Sequence, residues 1–150
     1  MPPIFPLQNV LDVRHSKVEA IEIQLGRTQK QLLTLEERKV MLLSMKDRNL
    51  KEMYLRMQGE INIFQLDILR SNISAIDTRT KQIQRDIEET QKKISQIQKN
   101  LVAAKQEEET LEILKEKQIE RFKEEVKRIE NKQQDDVYIS LAYKNRQQEA

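Results

Sequence analysis

Residues 73–104 read ISAIDTRTKQIQRDIEETQKKISQIQKNLVAA. In this stretch Ile73, Thr80, Ile87, Ile94 and Leu101 form one heptad series, and Ile76, Ile83, Thr90, Ile97 and Ala104 form a second. Eight of these ten are apolar and both exceptions are Thr, so the pattern is a nearly complete a/d repeat. A helix turns once in about 3.6 residues, which lays such a repeat along one narrow side of the helix. The positions between are mostly Gln, Lys, Arg, Asp and Glu, which face water. A stripe this narrow is covered by another helix rather than by the interior of a globule.

Upstream, Leu11, Val18, Leu25 and Leu32 fall seven residues apart, with Ile21 and Leu35 in the second position and Arg14 and Thr28 departing. Past Leu35 the phase is expected to slip. Lys39 falls in the seam, and Leu43, Leu50 and Met57 carry a stripe displaced by four residues, the mark of a stutter. Beyond Leu111 the downstream stripe is expected to shift as well, resuming as Ile119, Phe122, Val126 and Ile129.

Two seams in one chain pair with each other only across a turn, and Gly59 supplies the permissive backbone for one. The expected fold is all-α, a long antiparallel two-helix coiled-coil hairpin with a short helical or irregular tip, forming a single domain over residues 1–150. Helix 1 is placed at about 7–57, the tip at about 58–71 and helix 2 at about 72–148. Ser71 or Ser74 would cap helix 2, Ser74 with Asp77 three residues on resembling a capping box. Ile61, Ile63, Phe64, Leu66, Ile68 and Leu69 would form a short helix at the tip. At about 1.5 Å per residue the helices run roughly 75 and 115 Å, so helix 2 beyond about Ile119 should overhang or bind something else. Two continuous helices in an intermolecular coiled coil are the alternative, disfavoured by Gly59 and the phase changes beside it.

Composition agrees with a thin seam. Charged residues make up 35% of the chain, against about 25% in typical soluble domains, and aromatics only 4%. All three prolines lie within the first six residues, which leaves the rest free of the strongest helix breaker. Lys and Arg number 27 against 25 Asp and Glu, so no strong field draws the chain to nucleic acid or an anionic membrane. No stretch approaches the roughly 18 apolar residues of a spanning helix, so direct membrane insertion is not expected. The absence of cysteine and an opening, Met1 to Pro6, without the pattern of a secretory leader suggest a cytoplasmic location.

Catalysis lacks its parts. There is no cysteine, no glycine-rich phosphate loop, and His15 is the single histidine, so no metal cluster or histidine-based triad can be assembled. Carboxylates such as Glu107, Glu108 and Glu109 read as a solvated helix face, and His15 reads as a surface histidine. Neither an enzyme nor a bound cofactor or metal is expected. Gly26, beside the seam residue Leu25, is either a tolerated helix glycine or a point of close approach for a partner. Binding candidates are apolar. Met41, Met45, Met53, Met57, Tyr54, Phe64 and Ile68 gather at the tip, either packing an irregular end or lining an adaptable surface. Val137, Tyr138, Leu141 and Ala142 form an apolar face on the overhang, which points to a contact with another protein.

Two segments carry a family resemblance. Phe5-Pro6-Leu7-Gln8-Asn9-Val10-Leu11-Asp12-Val13-Arg14 resembles the opening of the FliJ family of flagellar type III export proteins, and Asp135-Asp136-Val137 followed by Tyr143 and Arg146 resembles its C-terminal segment. The family's members are two-helix coiled coils similar to the central stalk of rotary ATPases. The resemblance implies a cytoplasmic stalk that couples a hexameric export ATPase to an export-gate membrane protein, peripheral to the inner membrane through those partners. Phe5, Leu7, Leu11, Arg14, Phe122, Val137, Tyr138, Leu141, Tyr143 and Arg146 would then face the ATPase ring. Met45, Met53, Tyr54, Phe64 and Ile68 would face the gate on grounds of topology alone. The alternative is a coiled-coil scaffold or adaptor unconnected with secretion. The nearly pure Ile and Leu seam from Ile73 to Leu101 is more stable than a partner-swapping chaperone requires and suits that permanent role equally well, and a homodimer through the overhang would be its sign.

Overall fold

The computed structural model describes residues 3–149. The fold is all-α: α1 (Gln8–Arg56) and α2 (Ile63–Glu149) pack against each other as a helical hairpin, and no strand occurs among the described residues. Contacts divide the chain into two compact units, Glu19–Ala103 and the pair of segments Met1–Val18 with Ala104–Ala150.

The Glu19–Ala103 unit contains the turn. Near the end of α1 the Met57 amide donates to the Met53 carbonyl at 3.1 Å and the Gln58 amide to that of Leu55 at 3.2 Å. Gly59 follows with φ of 92°, the left-handed conformation that commonly ends a helix. Helix α2 begins at Ile63, not near residue 72. Asn62 is its cap: the side-chain oxygen accepts the Gln65 amide at 3.3 Å while its carbonyl accepts the Leu66 amide at 3.2 Å. The tip is therefore short, and Ile63 to Leu69 are the first turns of α2. Leu66 is buried and Leu69 half-buried there, while Ile63, Phe64 and Ile68 are exposed. Ser71 and Ser74 are helix-interior residues.

Cross-pairs in this unit establish the antiparallel register. Lys39 Nζ donates to Gln84 Oε1 at 2.7 Å, Lys46 Nζ meets Asp77 Oδ1 at 2.7 Å, and the Arg56 guanidinium donates to Gln65. Buried and half-buried residues of α1 continue past Leu35 as Lys39, Leu42, Lys46, Asn49 and Met53, alternately three and four apart. The expected stutter is absent. Leu43 and Leu50 are 45% and 47% exposed, outside the seam. Phase is kept because the Lys39 and Lys46 stems cover apolar surface while their ammonium groups reach acceptors across the hairpin. The buried Thr28 and Thr90 cost little, since their hydroxyls donate to the Gln24 and Asp86 carbonyls one turn earlier at 2.8 and 2.7 Å. Ile76, Ile87 and Ile97 are the buried apolar centre, each contributing about 1.5–3 kcal/mol by leaving water.

In the other unit, Leu11, Val18 and Ala104 are buried. Arg14 Nη1 meets Glu107 Oε2 at 2.7 Å, Lys17 Nζ approaches the same oxygen at 3.6 Å, and Gln118 Nε2 donates to the Ile4 carbonyl at 3.4 Å. Here too the expected shift beyond Leu111 does not occur. Glu108, Leu111, Lys115, Gln118 and Phe122 are half-buried in unbroken alternation, so Phe122 belongs to the original phase while Ile119, Val126 and Ile129 are exposed. Beyond Phe122 every residue whose burial is described is exposed.

Candidate protein-binding surfaces

No group of residues that could hold a metal ion occurs among the described residues, and the depressions on the helices are shallow and open to solvent. What the chain offers is helix surface, and its chemistry differs from place to place.

Near the N-terminus, Phe5 is half-buried, Leu7 exposed and Leu11 buried, so these three apolar residues divide between surface and seam positions. Arg14 keeps its guanidinium at the surface in the ion pair with Glu107. His15 is not a bystander, because its Nδ1 lies 2.6 Å from Glu108 Oε1, and Glu108 is the more buried of the two. The acidic run at Glu107 and Glu108 is thus partly a pairing surface for α1 and not only a solvated face.

Val137, Tyr138 and Leu141 line one shallow depression of α2 with Glu130, Gln133 and Gln134. All three are more than half exposed, as is Tyr143, and Arg146 is also at the surface. Phe122 is not part of this patch, since Val137 lies about 20 Å further along a helix rising about 1.5 Å per residue.

The residues expected at the tip are similarly separated. Met53 is a seam residue. Met45 lines a groove between the helices with Met41, Leu42 and Ile83. Tyr54 sits instead in a depression with Leu50 and Leu55. Phe64 and Ile68 are exposed on the first turns of α2. Two features escape a reading of apolar periodicity: the exposed α1 residues Leu33, Val40, Leu43 and Leu50, and a groove lined by Arg27, Lys30, Arg38 and Lys93. The second was detectable as cations at positions flanking the seam.

The model of the flagellar FliJ protein family matches residues 3–148, from the Phe5 segment through the Tyr143 segment. The chain belongs to the FliJ family. No curated protein and no solved structure matches it. Family membership makes this FliJ-family chain one of a group of non-catalytic flagellar accessory proteins. Among the described residues no helix is long and apolar enough to cross a membrane, so the exposed apolar residues of this FliJ-family chain are surface features of charged helices.

Proposed function

We propose that the chain is a stalk and export-accessory protein of a flagellar type III export apparatus, acting in the cytoplasm and at the inner membrane through its partners. It would couple a hexameric export ATPase to an export-gate membrane protein by helix packing. The observation that carries this reading is the family match over residues 3–148 in a chain folded as a helical hairpin. A hairpin whose seam is held by Ile, Leu and back-bonded Thr can transmit torque or position without chemistry of its own.

On this reading the segment of α2 beyond Phe122 enters the ATPase ring. Its Val137, Tyr138 and Leu141 are more than half exposed, and burying them would supply association energy without disturbing the seam. The tip end, with Tyr54, Phe64 and Ile68 exposed, remains for the gate. Titration of the purified cognate export ATPase with the full chain tests the first contact. Saturable binding that Tyr138→Ala with Leu141→Ala weakens by about tenfold or more supports it. Absence of binding, or binding indifferent to that double change, places the contact elsewhere.

A further inference from the structure

The Glu19–Ala103 unit carries two flanks of opposite character along its seam. One flank is a groove between the helices, in which Arg27, Lys30 and Thr34 of α1 face Asp86, Glu89 and Lys93 of α2. Arg38 continues this groove into a second stretch, where Met41, Leu42 and Met45 face Arg79, Gln82 and Ile83. Both stretches are lined by flanking positions of the same heptads, so they form one track. Its cations are Arg27, Lys30, Arg38, Arg79 and Lys93, its carboxylates Asp86 and Glu89, and none of the five cations has a carboxylate at ion-pair distance among the described residues. The other flank presents Glu36, Asp47, Asp77 and Glu88, with Asp77 paired to Lys46 at 2.7 Å and Asp47 to Lys51 at 3.0 Å, beside exposed Leu33, Val40 and Leu43.

We propose that the basic, methionine-ended groove is a docking track for a third helix, supplied by another protein, whose packing face carries apolar side chains flanked by Asp and Glu. The groove between two coiled-coil helices is the natural seat for a third, since knobs from the incoming helix enter holes formed along both. Met41, Leu42, Met45 and Ile83 supply the apolar end of the seat, and the thioethers adapt to whatever side chain arrives. Charge decides both register and flank. Five cations against two carboxylates attract an acidic helix here, while the opposite flank, whose Asp77 and Asp47 are already paired with Lys46 and Lys51, offers it no such excess of cations. A second copy of the chain is the poorer match, since its acidic flank already has Asp77 and Asp47 paired with Lys46 and Lys51, and the contact would be head-to-tail, building rings or filaments. The occupant is therefore a different protein. The inference stands on this groove alone and does not depend on the export reading.

The test uses the full chain and two synthetic three-heptad helical peptides, both with Leu at the a and d positions, one with Glu and the other with Lys at e and g. Fluorescence anisotropy should show saturable binding of the Glu peptide and at least about tenfold weaker binding of the Lys peptide, with added salt weakening the former. Arg27→Glu with Arg38→Glu should weaken the Glu peptide by about tenfold or more. Leu43→Ser, on the opposite flank, should leave its affinity unchanged, and circular dichroism checks that both variants keep their helix content. Equal binding of the two peptides, no binding of either, or indifference to the double charge reversal overturns the proposal. So does light scattering that shows the unliganded chain self-associating in a manner abolished by Arg27→Glu with Arg38→Glu, because the groove would then hold a second copy.

Discussion

Gly59 and Gly26 are the chain's two glycines, and the structure gives them opposite consequences. Gly59 holds φ of 92°, a conformation that an L side chain enters at a cost of roughly 1–2 kcal/mol, so Gly59→Ala should lower stability by about that amount. Gly26 lies inside α1, where an added Cβ would meet nothing within 4 Å. Gly26→Ala should accordingly raise stability by about 1 kcal/mol, the gap in helix propensity between the two residues. Urea denaturation of the two variants should move the midpoint in opposite directions. A loss of stability for Gly26→Ala would mean that the position is crowded. At this scale the sequence was readable for Gly59, because a lone glycine between two seams has few other uses. It was misleading for the start of α2. Ser71 and Ser74 look like caps, but the operative cap is Asn62, whose Gln65 three residues on completes the spacing of a capping box. Asn62→Ala should cost about 1 kcal/mol.

Among the elements, the long seams were legible where Ile and Leu fill them and misread where they do not. Counting apolar residues alone shifts the stripe onto Leu43 and Leu50, because Lys39, Lys46 and Asn49 look unfit for a core. A two-helix seam is shallow enough that lysine can lie in it and still reach water or a partner. Lys39 and Lys46 do so through Gln84 and Asp77. Phe122 shows the converse error, an in-phase residue assigned to a shifted stripe. The distinction has a direct energetic signature. Ile87→Ala, at a site only 5% exposed, should cost about 2–4 kcal/mol. Leu43→Ala should stay within about 0.5 kcal/mol of the parent. Thermal unfolding of both variants checks this pair, and a loss at Leu43 comparable with that at Ile87 would restore the stutter.

For the whole molecule, the hairpin was readable because two seams, one intervening glycine and no proline past residue 6 leave few other folds open. Family membership was foreshadowed by Phe5 to Arg14 and Asp135 to Arg146, short segments at the two ends of the matched range. The binding surfaces were less legible, since exposure depends on which residues the seam consumes. Met53 and Leu11 went into it, while Tyr138 and Phe64 did not. Arg27 and Arg38 drew no notice as single charges and acquire meaning only when α2 brings Arg79 and Lys93 alongside. The hairpin is proposed to serve as the stalk of an export ATPase. Steady-state ATP turnover by the cognate hexameric export ATPase, measured with increasing amounts of the full chain, decides that role. Turnover should rise and saturate near one chain per ring. Turnover that stays at its basal value at saturating concentration of the chain would contradict the stalk role.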